Sequence, residues 1–262
     1  MTLGRPEVRH TPGDDSEGET MRLVNLEGRL GLDVAGRFVD LELHSGGRFS
    51  SDPMAAFADW DAIRAWAGEQ STGDAGPIVD PAKLGAPVPN PTQVFAIGLN
   101  YKDHAEEAGL PIPDVPMVFT KFPSCIVGPD ADVELRSEHA DYEVEVVVVI
   151  GTGGRDIAAA DAWDHVLGLT AGQDISDRVL QFAAKPPHFD LAKSRDTYGP
   201  IGPTLVSPDM FDDPTDLALS CAVNGEVRQD SRTSNLIFSI ADLIAYLSSI
   251  MTLAPGDIIF TG

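Results

Sequence analysis

The chain has 262 residues, 43% of them hydrophobic, enough for a well-filled core in one large domain or a large domain with a small attachment. Its formal net charge of -23 argues against a phosphate-backbone reader, which needs clustered Lys and Arg, and equally against anchoring to an anionic membrane surface. No apolar run reaches the roughly 20 residues of a transmembrane helix, the N-terminus lacks a signal peptide's apolar core, and two cysteines fall short of a disulfide framework or zinc site.

Cys125 and Cys221 therefore read as small core side chains of a protein kept in a reducing cytoplasm. Residues 1–20 are polar, rich in Gly and Pro and without periodicity, and read as a disordered leader upstream of a start at Met21. From Met21, short β-like runs follow (MRLVNLEG, RLGLDVAG, GRFVDLELH), punctuated by glycines. A helix is predicted over DPMAAFADWDAIRAWAGE, where Met54, Phe57, Trp60, Ile63 and Trp66 recur every third residue as a core stripe. Residues 21–84 form a small N-terminal domain in this reading, and GAPVPNPTQ (85–93) is a proline-punctuated linker.

Beyond the linker, VFAIGLN is a strand and NYKDHAEEAG a short helix, with Asn100 as its cap and Gly109 as its C-terminal stop. PMVFTKFPSCIVGP reads as strand and turn, DYEVEVVVVIG as a buried strand, and AAADAWDHVLGL as a helix leading into TAGQDISDRVLQ. Then come SRDTYGPIGPTLVSP, a hairpin turning on Asn224-Gly225, the helix SIADLIAYLSSI and the strand PGDIIFTG. Strands outnumber helices without strict βαβ alternation, so the expected fold is α+β, mainly β.

The acidic strand carries the chemistry. Side chains alternate along a strand, so Glu143 and Glu145 share one face about 6–7 Å apart. Val147 and Val149 continue that face, while Tyr142, Val144, Val146, Val148 and Ile150 fill the other. A solvated face would leave the two acids unremarkable. A strand apolar on both faces is covered on both, and covered carboxylates need a cation, a proton or a partner. Oxygen ligands select a hard cation such as Mg²⁺, Mn²⁺ or Ca²⁺. Asp174, after a β-like run, is the candidate third ligand; read alone it is more readily a turn or helix-cap residue.

Two further groups complete the set. His104 and Glu107 stand three residues apart on one helical face, the spacing by which a carboxylate orients an imidazole base; the plain alternative is an exposed pair on an acidic helix. Lys193, in AKSRDTYGPIGP, precedes a segment constrained by Gly and Pro that would fix its ammonium near a carbonyl, unless it is a surface lysine. Asp141 reads as a strand-end surface acid, and His10, His44, His139, His165 and His188 lack comparable company.

FAIGLNYKDHAEE, KFPSCIVGP, DYEVEVVVVIG, GQDISDRVLQ, AKSRDTYGPIGP and PGDIIFTG occur in the order found in one family. From about Val94 to Gly262 the chain resembles the fumarylacetoacetate hydrolase family, in the branch of acylpyruvate hydrolases, oxaloacetate decarboxylases and 2-hydroxyhepta-2,4-diene-1,7-dioate isomerases. The resemblance implies a mixed β-roll catalytic domain over 94–262, commonly a homodimer, holding one Mg²⁺ or Mn²⁺ per subunit. It implies Glu143, Glu145 and Asp174 as metal ligands, His104 and Glu107 as a dyad on a lid helix, and Lys193 as the active-site lysine. Arg178 and Gln181 match positions that approach the substrate's carboxylate and keto groups, and Lys121 falls near the site. The implied substrate is a small 2-oxo or 1,3-dicarbonyl carboxylic acid, processed through an enolate stabilised by the cation. The His–Glu pair favours C–C hydrolysis; decarboxylation and isomerisation share the enolate, and a non-catalytic metal- or metabolite-binding protein is the contrasting class.

The chain departs from the family at three points. Val179 replaces an Asp that often follows the arginine, Arg195 replaces a Phe and adds positive charge, and the sequence stops at FTG where relatives continue with Thr-Pro and a glycine-rich loop. The last departure leads to the expectation that either the sequence is truncated or part of the substrate pocket is missing.

Overall fold

The structure is a computed structural model describing residues 21–68 and 76–262. The leader read at residues 1–20 lies outside the described residues.

Three strands open the chain: β1 (Arg22–Leu26), β2 (Arg29–Val34) and β3 (Arg37–Asp40). The last β-like run stops early because Asp40 caps a helical turn, α1 (Leu41–His44), its carboxylate accepting the Leu43 N–H at 3.0 Å. The predicted long helix is broken in two. Asp52 caps α2 (Pro53–Ala56), a 3₁₀ turn covers Phe57–Asp59, and α3 (Trp60–Ala67) follows. Its stripe is core packing as read: Phe57, Trp60 and Ile63 are buried, with Met54 and Trp66 against them.

The remainder carries β4 (Leu84–Gly85), β5 (Val94–Gly98), α4 (Lys102–Ala108), β6 (Met117–Thr120), β7 (Ile126–Val127), β8 (Ala140–Asp141) and β9 (Val144–Ile150). Next come β10 (Val166–Gln173), β11 (Ser176–Asp177), α5 (Arg178–Gln181), β12 (Gly199–Val206), β13 (Ala218–Val223), β14 (Glu226–Arg232), α6 (Ile240–Ile250) and β15 (Ile258–Phe260). Gly109 takes the left-handed conformation that ends α4, with φ at 63°. Tyr101, not Asn100, occupies the N-cap of α4; the Asn100 side chain is spent on Phe238 and Thr261 instead. The helix expected over 158–169 is a 3₁₀ run, Ala159–His165, that gives way to β10 where Val166, Leu167 and Leu169 are buried. The β13–β14 hairpin turns at Asn224 and Gly225 with φ of 54° and 83°, the paired positive values a tight hairpin requires. A reciprocal Ser239/Asp242 capping box starts α6.

The main sheet is mixed, in the order β3-β2-β1-β12-β10-β9-β15-β5-β6, with β4 on β1 and β7 on β12. β15 runs parallel to β5 and antiparallel to β9. The N-terminal strands extend this same sheet, because β1 pairs with β12 through Arg22↔Val206 and Leu23↔Leu205. β9 lies near the middle and is buried along its whole length. Val147 and Val149 pack into the core beneath α2 and α3; Val146, Val148 and Ile150 pack into a second core with α6 and β13. With both faces of β9 covered, a merely solvated explanation fails for Glu145.

Candidate metal centre and active site

β9 and β10 pair antiparallel, with Glu145 opposite Gly172 and Val144 opposite Gln173. One residue further out, the Asp174 N–H donates to the Glu143 carbonyl at 2.8 Å. That register places Asp174, just past the end of β10, beside the two strand glutamates. Carboxylate oxygens of Glu143, Glu145 and Asp174 lie within 4.8 Å of one another. A Cβ on Gly172 would meet Val147 at 2.6 Å, so the two strands close tightly behind this cluster.

Three cations surround it. Lys193, 3% exposed, donates from Nζ to Glu143, to Asp174 Oδ2 at 2.6 Å and to Ser176 Oγ at 2.7 Å. Lys121, fully enclosed, donates to Asp174 Oδ1 at 2.7 Å and to the carbonyls of Lys193 and Tyr198. Arg178 Nη2 donates to Glu143 Oε1 at 2.6 Å and Asp141 Oδ2 at 2.8 Å, while Nη1 donates to Gln181 Oε1 at 2.9 Å. Asp141 is thus not the free surface acid of the sequence reading but the brace of Arg178. It gets there because β8 pairs with β11, Asp141 opposite Ser176, two residues before the arginine. Arg195 brings no free charge: its guanidinium is tied to buried Asp177 at 2.8 Å, the residue whose side chain also caps α5.

The acids differ in their electrostatics. Burial would raise Glu143, but the Lys193 and Arg178 charges outweigh it and hold the carboxyl down at about 2. Glu145 goes the other way: burial, then the adjacent Asp174 and Glu143 charges, push it well above the usual carboxylate range. Among the described residues its one hydrogen-bond donor is the Gly262 N–H, at 2.7 Å. Lys193 loses by desolvation but gains more from Asp174 and Glu143, so its ammonium is held above the ordinary lysine range. An all-oxygen donor set with one 1%-exposed, poorly partnered carboxylate fits a hard divalent cation, which Glu143, Glu145 and Asp174 would hold.

A cavity of about 660 Å³ opens over Glu143 and Glu145. Arg178, Gln181 and Lys193 line it, and so do His104 and Glu107 on α4; enclosed Lys121 does not. His104 and Glu107 are exposed, and no hydrogen bond joins them among the described residues. Other lining residues escaped the sequence reading. Tyr101 is 8% exposed with an unpartnered hydroxyl, and burial followed by the Glu145 charge pushes its phenol upward. Arg228 to Ser231 of β14 form a wall, positioned by the Gln229 side chain, which accepts the Val144 N–H at 3.0 Å. Only the Asn-Gly turn announced that hairpin, and nothing local in the sequence aimed it at the acids.

A mixed sheet whose central strand opens on an all-carboxylate cluster, beside a buried lysine and beneath a cavity, defines an α+β protein with a candidate hard-cation site. Residues 93–262 match the profile of the fumarylacetoacetate (FAA) hydrolase C-terminal family, and the chain belongs to that family. Among curated relatives, the human mitochondrial oxaloacetate tautomerase is 45% identical over 179 residues, 68% of this chain and 57% of the relative. The chain spans about three fifths of the length of the curated relatives it matches. A Mycobacterium smegmatis structure assigned as HpcE superposes with a TM-score of 0.88 at 49% identity, over 92% of this chain and 86% of the other. Maleylpyruvate hydrolase from Sphingobium sp. SYK-6, solved with manganese(II) and pyruvate, gives 0.77 at 28% identity, over 92% and 88%. No helix among the described residues is long and apolar enough to cross a membrane.

Proposed function

We propose that this chain is the catalytic part of a divalent-metal-dependent enzyme that forms an enolate from a small 2-oxo dicarboxylic acid. Its first reading is proton transfer between carbon and oxygen, tautomerisation or isomerisation. The observation that carries the proposal is the convergence of Glu143, Glu145 and Asp174 with buried Lys193 at the floor of one cavity. Glu143, Glu145 and Asp174 would hold a Mg²⁺ or Mn²⁺, which when bound would supply Lewis acidity toward the substrate's keto group. Arg178 and Gln181 line the cavity beside the acids and orient the substrate carboxylate. Lys193 stabilises negative charge as it develops on the keto oxygen. His104, aided by Glu107, takes the proton from the carbon next to the ketone and, now protonated, returns it to the enolate oxygen, so the imidazole ends as it began. The names of the 45%-identical relatives support this order of readings. C–C hydrolysis is the second reading; the His104/Glu107 spacing suits water activation, and two structural neighbours are named as hydrolases. Homodimer assembly belongs to the same proposal and rests on the exposed apolar Met117 and Val118 of edge strand β6.

The test is a panel of oxaloacetate and acylpyruvates with full-length protein and Mn²⁺. Enol absorbance is followed in parallel with pyruvate and CO₂ release. Enol–keto conversion without cleavage supports the first reading, and pyruvate release without CO₂ the second. His104→Ala should abolish turnover and leave Mn²⁺ binding intact; persistent turnover removes the base assignment. No turnover of any panel member by the wild type would return the chain to the binding-protein class.

A further inference from the structure

α4 carries His104 and Glu107, yet it is attached at one end only. Ala105 is buried, whereas Lys102, His104, Glu106 and Glu107 are exposed, as are Leu110 and Ile112 beyond the helix. A seven-residue helix with so little packing is marginal without an anchor. The anchor is at its start. The Asn100 carbonyl accepts from the Ile237 N–H at 2.6 Å, and the Asn100 side chain is bonded to both Phe238 and Thr261. One turn on, Asp103 Oδ2 accepts from Ser231 Oγ at 2.6 Å and from Asn235 Nδ2 at 3.4 Å, while Oδ1 accepts from the His104 N–H at 2.9 Å. Asn235 Nδ2 also donates to Ser231 Oγ at 3.2 Å, which closes the triangle.

Resting on the functional reading above, we propose that Asp103 is a positioning residue for the dyad. Through Ser231 and Asn235 it fixes the rotation of α4, and so where His104 and Glu107 stand over the cavity. Ser231 belongs to β14, the same strand that walls the cavity, so the wall and the helix are set by one latch. A carboxylate is required there because all three of its partners are donors. An Asn would turn an NH₂ toward one of them.

The experiment compares Asp103→Ala, Ser231→Ala, Ser231→Thr and the double Asp103→Ala/Ser231→Ala variant with wild type, using full-length Mn²⁺-loaded protein and oxaloacetate. Asp103→Ala and Ser231→Ala should each lower kcat tenfold or more, with KM and the Mn²⁺ Kd within twofold. Ser231→Thr, which keeps the hydroxyl, should recover kcat to within threefold. The double variant should be close to Asp103→Ala, because the Asp103–Ser231 bond that carries the latch is lost in either single variant. Hydrogen exchange of the α4 amides should rise at least tenfold in both alanine variants while β9 is unchanged, a readout independent of which substrate is turned over. Unchanged exchange in α4 overturns the latch, as does Asp103→Ala with wild-type kcat beside an inactive His104→Ala. An active His104→Ala removes the dyad assignment instead, and leaves the exchange result to decide the latch. If Asp103→Ala fails to fold, Ser231→Ala and Ser231→Thr decide the same question.

Discussion

Lys121→Met tests whether the enclosed lysine holds Asp174 in place. Methionine keeps most of the side-chain volume and removes the ammonium. That deletes the 2.7 Å ion pair to Asp174 Oδ1 and the donors to the Lys193 and Tyr198 carbonyls. Removing one partner of a buried pair costs about 3–5 kcal/mol, because the other charge stays behind. Here the lower end applies: Asp174 keeps Lys193 at 2.6 Å, and the Tyr198 carbonyl keeps the Ile175 N–H at 3.1 Å. A loss of about 3 kcal/mol corresponds to roughly 6–12 °C in Tm for a domain of this size. The variant should also respond more to metal. With one positive charge gone from beside the triad, saturating Mn²⁺ should stabilise it more than wild type, by at least about 1 kcal/mol. Guanidinium melts with EDTA and with Mn²⁺ read both quantities. A loss below about 1 kcal/mol, or equal Mn²⁺ increments in the two proteins, would refute the reasoning.

Chelation should abolish turnover and lower Tm, and Mn²⁺ at 100 times its Kd should restore about 2.7 kcal/mol by mass action, read by calorimetry. Asp141→Asn should loosen Arg178 and raise KM about tenfold with kcat nearly unchanged, the signature of lost uniform binding; a kcat effect would place Asp141 in the chemistry instead. Burial tends to raise Asp40, but the hydrogen bond from Arg29 and the Leu43 N–H outweigh it and depress its carboxyl. A depressed acid contributes stability that is present above its unfolded value near 3.8 and lost as pH falls through its folded value. Asp40→Ala should therefore cost about 1–2 kcal/mol at pH 7, cap included, and flatten the acid-unfolding curve below about pH 4.

The two strand glutamates were legible because their signal is local. Alternation along β9 puts Glu143 and Glu145 on one face, and the strand's apolar character on both sides announced its burial. Asp174 was less visible, since its approach depends on the β9–β10 register rather than on anything in its own segment. Asp141 was misread for the same reason: its partner lies 37 residues away, joined through a two-strand ladder of two residues each. Sheet continuity also escaped the sequence. Gly85, the first residue of the expected linker, belongs to β4, and the N-terminal strands pair edge-on with β12 across it. Periodicity reports which face of an element is apolar and says nothing about which neighbour covers it. The dyad is the converse case: the i, i+3 spacing of His104 and Glu107 is plain in the sequence, while what orients their helix is set by residues 231–238, more than a hundred positions away.

Net charge and local charge run in opposite directions here. A chain at -23 repels a small dianion at long range, so an anionic substrate has to be met by charge concentrated at the site. The site concentrates three cations, but each is already matched: Lys121 to Asp174, Lys193 to Glu143 and Asp174, Arg178 to Glu143 and Asp141. Such pairs cost desolvation and add little net stability, so stability alone does not account for burying them. Their arrangement does account for a binding function. Glu143 is the shared partner of Lys193 and Arg178, so a metal ion that engaged Glu143 would weaken its hold on both and free N–H groups beside the cavity. Asp141 keeps Arg178 from following Glu143, through bonds at 2.8 and 3.0 Å to one oxygen. The carboxylate dismissed from the sequence as a surface acid is therefore what keeps the arginine at the cavity wall, where the proposed substrate carboxylate would meet it.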